Sequence, residues 1–319
     1  MVAETLDLLA PERRPGGWFV DTTLGLGGHA EALLERAPEA RLLGLDRDPQ
    51  ALERAAERLS VFNRGGADRV RFEHANFQDL EPVLARQGLA GKVAGILADL
   101  GVSSLQLDSA ERGFSFRFDG PLDMRMGLAD FTAADLVNES SEEELGRIFR
   151  DYGEELQARR IARAIVRVRE ESPLTTTGDL KRVIDRAKSA GRQPRKPAQR
   201  TQHGGREGRV DPATRVFQAL RIAVNRELAG LEALMDQAIR MLEDDGRLVV
   251  ISYHSLEDRI VKNVLRDVAR GEIDQVTGRP RSESQLIEVL TRKPLRPSDE
   301  EVAFNPRSRS ARLRAAKRI

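Results

Sequence analysis

Apolar residues in the first third of the chain fall into short continuous runs, each stopped by an acid or another polar residue, and between the runs they recur at helical spacing. Trp18-Phe19-Val20 ends at Asp21, Leu42 to Leu45 ends at Asp46, Val70 to His74 leads into Ala75-Asn76-Phe77, and Val93 to Ala98 ends at Asp99. Runs this short and this apolar predict strands buried on both faces. The amphipathic stretches between them predict helices: an Ala/Leu-rich one after Gly28, one that opens on Pro49 and reaches about Leu59, and one from about Asp79 to Gln87. Strand and helix in alternation give an α/β fold with a parallel sheet covered on both sides, and such sheets bind ligands at the carboxyl ends of their strands. Asp21, Asp46, Phe77 and Asp99 all fall at those ends. Met1 to Ala10 predicts a short amphipathic helix ahead of the first strand.

From about Glu111 the alternation stops. A loop with Phe114, Phe116 and Phe118 precedes helical patterns near Ala133 to Val137, Glu142 to Tyr152, Glu154 to Glu171 and Thr176 to Lys188. We expect a helical insertion over 111–211, within one domain made of 1–110 and 212–319. Ser189 to Arg209, rich in Gly, Pro and Arg, predicts a mobile loop. Asp211 then caps one long helix from Pro212 to about Leu242, with strands to follow at Arg247 to Ser252, Gln285 to Leu290 and, at a sheet edge, Ser310 to Lys317.

Between the first strand and the first helix lies Thr22-Thr23-Leu24-Gly25-Leu26-Gly27-Gly28-His29. A glycine turn here lets the backbone approach a ligand where a Cβ would block it, and aims the helix amides at that ligand. An acid at the tip of the next strand, Asp46, is placed for a ribose diol. Two cofactors fit. Gly25, Gly27 and Ala30 satisfy the dinucleotide pattern, which would make the protein an NAD-dependent oxidoreductase. In that pattern, however, the first glycine follows the strand directly, whereas Asp21 ends this strand and three residues intervene. A carboxylate there repels a pyrophosphate and suits the ammonium and sulfonium of S-adenosylmethionine.

Composition narrows the classes further. The 319 residues are 40% hydrophobic, enough for a sizeable core, and no apolar run approaches the roughly 18 residues that cross a bilayer. We expect no membrane partner and a cytoplasmic location. With no cysteine and four scattered histidines, a thiolate nucleophile is excluded and no metal is expected. The net charge of +1 hides a skew: Lys188 to Arg209 holds seven basic residues and one acid, and Asn305 to Ile319 six and none. Either segment suits a polyanion, or is a solvated face. Of the first we single out Arg192, Arg195, Lys196 and Arg200 as contacts to a polyanion backbone.

The residues resemble a known family, the bacterial RsmH or MraW methyltransferases, which methylate the exocyclic N4 of a cytidine in the decoding region of 16S ribosomal RNA. The resemblance rests on seven blocks in order: Asp21-x-Thr23-x-Gly25-x-Gly27-Gly28-His29, Asp99-Leu100-Gly101-Val102-Ser103-Ser104-x-Gln106, Asp119-Gly120-Pro121-Leu122-Asp123-Met124-Arg125-Met126, Tyr152-Gly153-Glu154-Glu155, Phe217-Gln218-Ala219-Leu220-Arg221-Ile222-x-Val224-Asn225-x-Glu227-Leu228, Ser252-Tyr253-His254-Ser255-Leu256-Glu257-Asp258-Arg259 and Asn305-Pro306-Arg307-Ser308-Arg309-Ser310-Ala311. It implies a Rossmann-like class I methyltransferase sheet, S-adenosylmethionine as cofactor, and 16S ribosomal RNA or the small subunit as partner. It also implies a cofactor site of Gly27, Gly28, His29, Asp46, Phe77, Asp99 and Gln106. A departure stands at the start, where Met1-Val2-Ala3-Glu4 replaces the family's usual His-x-Pro-Val. A non-catalytic RNA-binding assembly factor could keep the same fold, but an intact Asp99 and a complete glycine turn speak for catalysis.

For the chemistry, other amino-methyltransferases follow the strand-four acid with Pro-Pro-aromatic, and here Leu100-Gly101-Val102 stands instead. We therefore expect Asp99 and a backbone carbonyl to accept the amine protons, Tyr253 or a phenylalanine of the 114–118 loop to stack the flipped base, and His254 to assist proton departure.

Overall fold

In the computed structural model the residues described are all but 67, 102–108, 128, 190–210, 275–278 and 280, with the side chains of 64–66 also set aside. The chain forms two compact units, Met1–Ser103 with Leu228–Ile319, and Ser104–Glu227. The sequence places the corresponding boundaries at 110/111 and 211/212.

The first unit is built on a seven-stranded sheet. Its strands are β1 (Trp18–Asp21), β2 (Arg41–Asp46), β3 (Val70–His74), β4 (Val93–Asp99), β5 (Leu242–Ser252), β6 (Ile287–Val289) and β7 (Arg312–Arg318), in the order β3-β2-β1-β4-β5-β7-β6. β1 to β5 run parallel, while β7 lies antiparallel to both β5 and β6. Chain order turns at β1, which pairs β2 on one side (Val20 opposite Leu43) and β4 on the other (Val20 opposite Ile96), so the crevice beyond its carboxyl end is where this topology puts a ligand.

Successive side chains of a strand point to opposite faces, and both faces here are apolar. On one, Phe19, Leu42, Leu97 and Val249 pack with α1 (Val2–Leu9), α2 (Gly28–Arg36) and α3 (Pro49–Leu59) through Leu6, Leu33, Leu34 and Leu59. On the other, Val20, Leu43, Ile96 and Val250 pack with α4 (Leu80–Arg86) and with the later helices α10 (Glu227–Met241) and α11 (Ser255–Arg270) through Leu84, Leu234, Met235 and Leu265. Alternating strand residues thus feed two separate cores. No helix among the described residues is long and apolar enough to cross a membrane.

Two expectations need correction. The strand expected at a sheet edge, β7, sits inside the sheet, because its basic residues find acids on its neighbours: Arg314 Nε lies 2.6 Å from Asp258 Oδ1, and Lys317 Nζ lies 3.3 Å from Asp245 and from Glu288. The basic tail is in that measure internally neutralised. The long helix expected from Pro212 to Leu242 is two, α9 (Thr214–Asn225) and α10, parted at Arg226 with φ +49°. The Arg221 guanidinium donates two hydrogen bonds of 3.0 Å to the Glu227 carboxylate across that break.

The second unit is helical: α5 (Ala133–Glu139), α6 (Glu142–Asp151), α7 (Ala158–Arg169), α8 (Thr177–Ser189) and α9. Val137, Phe149, Ile161, Ile165, Ile184 and Leu220 are fully buried in it. The phenylalanine loop is divided in role. Phe114 is buried and Phe116 meets Phe217 edge-on at 5.0 Å, whereas Phe118 is 62% exposed.

Candidate active site at the carboxyl ends of the strands

The turn after β1 is stitched to its neighbours by backbone. Thr22 N–H donates to Leu97 O and Leu24 N–H to Leu45 O, which brings the tips of β2 and β4 to the glycines. Gly25 (φ +53°) and Gly27 (φ +77°) hold left-handed conformations that side-chain-bearing residues rarely adopt, and Gly27 caps α2. A Cβ on Gly28 would meet nothing within 4 Å, so the start of α2 is open to an approaching group.

Asp46 closes the turn from the side of β2. Its Oδ2 accepts the Gly25 N–H at 2.8 Å and its Oδ1 the Asp48 N–H at 2.9 Å. Burial raises its pKa, and those two bonds work against the rise. Each oxygen retains a lone pair for a ribose hydroxyl. Phe77 stands just beyond β3 in a short helical turn, half-buried against the core, and Asn76 caps that turn on Gln78 N–H.

Asp99, at the tip of β4, joins residues far apart in sequence. Its backbone N–H donates to Thr23 Oγ1 at 2.6 Å, its Oδ1 accepts the Tyr253 hydroxyl at 2.9 Å, and its Oδ2 lies 3.6 Å from His29 Nδ1. Burial pushes the Asp99 carboxyl up; nearby His29 and the Tyr253 hydroxyl pull it down. Burial lowers the His29 pKa, with the Asp99 charge opposing, and raises that of Tyr253. The Tyr253 ring lies against Gly101, where a Cβ would come within 3.2 Å of it.

Beyond β5, Glu257 accepts the backbone N–H of Tyr253 at 2.8 Å and of His254 at 3.2 Å. The reciprocal half of this capping box is His254 Nδ1, which accepts the Glu257 N–H at 3.4 Å. With Nδ1 an acceptor, the proton sits on Nε2. That atom is 3.1 Å from Glu257 Oε1 but off the line of a hydrogen bond. Among the described residues, the two buried side-chain polar atoms that lack a hydrogen-bond partner are His29 Nε2 and His254 Nε2. Both residues adjoin strand ends on the ligand side of the sheet. Buried polar atoms are seldom left so.

Of the residues expected to form the site, Gly27, Gly28, His29, Asp46, Phe77, Asp99, Tyr253 and His254 all fall at strand ends or in the turns beyond them. Gln106, Arg192, Arg195, Lys196 and Arg200 lie outside the described residues. The sequence reading missed Thr23, which holds the Asp99 backbone, and Glu257, which holds the turn of Tyr253 and His254. The His254-x-x-Glu257 spacing of a capping box was the available signal for the second.

The profile of the MraW methylase family matches residues 1–319. The chain belongs to that family. It is similar to proteins named "Ribosomal RNA small subunit methyltransferase H" from Geobacter sulfurreducens (49% identity, covering 100% of this chain and 97% of the relative), Geotalea daltonii (50%, 99% and 96%) and Thermobifida fusca (49%, 100% and 92%). Membership of the MraW methylases settles the choice left open by the glycine turn, in favour of S-adenosylmethionine over a dinucleotide. The sheet is that of a Rossmann-like class I methyltransferase.

Proposed function

We propose that the protein moves the methyl group of S-adenosylmethionine to the exocyclic N4 of a cytidine in the decoding region of 16S ribosomal RNA. The observation that carries this reading is the carboxylate of Asp99, set at the tip of β4 beside the glycine turn and bracketed by Tyr253 and His29. S-adenosylmethionine supplies a methyl on a positively charged sulfonium, which favours a site lined by acids. Gly27 and Gly28 give close approach, Asp46 takes the ribose diol, Phe77 lies along the adenine, Asp21 faces the cationic end, and Gln106 completes the set by family resemblance.

The cytosine N4 lone pair is delocalised into the ring, so the amine must pyramidalise in line with the methyl while its protons are held. Alignment of this kind is worth roughly 7–11 kcal/mol in well-ordered systems. Asp99 is the acceptor we assign, with Tyr253 donating to one oxygen and thereby turning the other toward the amine. His254, a donor at Nε2 while its Nδ1 caps α11, fixes the turn that carries Tyr253 and takes a proton only by giving up that cap. Arg192, Arg195, Lys196 and Arg200 hold RNA phosphates in this reading.

Methyl-tritiated S-adenosylmethionine incubated with the protein and either small subunits or a naked 16S transcript tests the assignment after digestion to nucleosides. Label is expected in N4-methylcytidine. Label on C5 or on a ribose oxygen would refute the N4 target, and none on any ribosomal RNA would refute the activity.

A further inference from the structure

Helix α7 carries five arginines and no acid over Ala158–Arg169. Ala158, Ile161, Ala162 and Ile165 are its buried face. On the opposite side Arg159, Arg163 and Arg167 are exposed, four residues apart, with Arg160 half-buried beside them. At 1.5 Å of rise and 3.6 residues per turn each lies about 6 Å along the axis from the next and about 40° around from it.

That arrangement works against the helix. Like charges four residues apart repel, and Arg159 and Arg160 occupy the first turn, at the positive end of the helix dipole, where the turn itself carries no acid and the nearby Glu155 carboxylate is bound to Gln157 N–H and Lys188. Several other cations of this unit are matched, among them Lys181 to Asp185 and Asp211, Lys188 to Glu155 and Arg221 to Glu227. Along the stripe, among the described residues, only Arg163 meets a carboxylate, Glu142 at 3.3 Å, and it does so 76% exposed. A solvated face needs no such cost, since alternating acids would serve it better.

We propose that Arg159, Arg163 and Arg167 form a binding face for the phosphate backbone of RNA, one guanidinium to one phosphate along a single strand. Arginine suits this because its planar fork meets phosphate oxygens bidentately. The inference rests on the reading of the protein as an RNA methyltransferase, and it adds a contact surface on helix α7 to the four residues assigned above.

The test is the salt dependence of binding, by fluorescence anisotropy, to a transcript of the 16S decoding region. It uses the full chain as parent, as the triple variant Arg159→Gln/Arg163→Gln/Arg167→Gln, and as the corresponding triple Lys variant. The Gln variant is expected to lose about 2–3 from the slope of log affinity against log salt, at 0.7–0.9 per phosphate contact. Its S-adenosylmethionine affinity should match the parent's, and its melting temperature should be equal or higher because the repulsion is gone. The Lys variant keeps the charge and should keep the slope with weaker binding. An unchanged slope in the Gln variant, or a slope lost equally in the Lys variant, overturns the proposal. Methyl transfer by the parent, measured alongside, separates the two readings: an active parent with an unchanged variant slope sinks the arginine face alone, whereas a parent that binds steeply and methylates no RNA sinks the proposed activity alone.

Discussion

Asp46 serves two partners with one carboxylate: it fastens the glycine turn through Gly25 N–H and the next turn through Asp48 N–H, and in our reading it also receives a ribose. Replacing it by alanine strips the ribose contact and frees two backbone donors. Asp46→Ala should therefore weaken S-adenosylmethionine by roughly 1.5–3 kcal/mol, about ten- to a hundredfold in Kd. Calorimetry that finds the variant binding as tightly as the parent would remove Asp46 from the cofactor site. Asp99 asks for a different readout, because its neighbours Tyr253 and His29 tie it both to the reaction and to the turn. Asp99→Asn keeps shape and one acceptor for the Tyr253 hydroxyl while removing charge. If Asp99 holds the amine, kcat falls with little change in cofactor affinity. If both fall together, it is a cofactor ligand and the amine is held elsewhere.

Among the elements, the turn between β1 and α2 is one whose backbone favours glycine. Gly27 sits at φ +77°, and a Cβ there would come within 3.3 Å of Leu59 Cδ1 on α3. Gly27→Ala should cost about 1–2 kcal/mol from the left-handed backbone alone. A thermal melt should show the loss as a lower Tm, together with weaker cofactor binding; a variant that melts and binds like the parent would mean that the turn relaxes freely. This turn was readable in the sequence, as were β1, β2 and β4, because each of those runs is apolar on both faces and needs no partner to explain it; β3, Val70-Arg71-Phe72-Glu73-His74, was readable from its place in the alternation. β7 was readable as a strand but not as an interior one. Its Arg312, Arg314 and Lys317 look like solvent-facing charges until Asp258, Asp245 and Glu288 arrive from other elements. The break at Arg226 left no mark either, since neither glycine nor proline produces it. Likewise nothing local foretells that the Tyr253 hydroxyl donates to Asp99, 154 positions away, for only the sheet order brings β5 beside β4.

For the molecule as a whole, the consequence of gathering acids at the strand tips is a stability that depends on pH. Asp21 is 3% exposed, and burial pushes its carboxyl up to about 7, the Thr23 N–H opposing and the charges of Asp99 and Asp46 adding to the rise. In the unfolded chain the same group ionises near its ordinary value, about 3.9. Between roughly pH 4 and 7 the native chain thus holds a proton that the unfolded chain has released, so stability falls as pH rises through that window and levels off above it. The full loss is about 4 kcal/mol at 1.36 kcal/mol per unit. Asp21→Asn keeps an oxygen for the Thr23 N–H and carries no charge, so at pH 8 it should outlast the parent in denaturant by up to that amount and match it near pH 4. A cationic ligand has the opposite need: it favours the ionised carboxylate. S-adenosylmethionine should bind the parent more tightly as pH rises through 7, releasing up to one proton, and the Asn variant should lose both the trend and part of the affinity. Calorimetry at pH 6, 7 and 8 in buffers of different ionisation enthalpy reads the proton directly. Parent and variant that track each other in stability from pH 4 to 8, or a parent whose cofactor affinity ignores pH, would show that Asp21 neither bears the buried charge nor meets the cation.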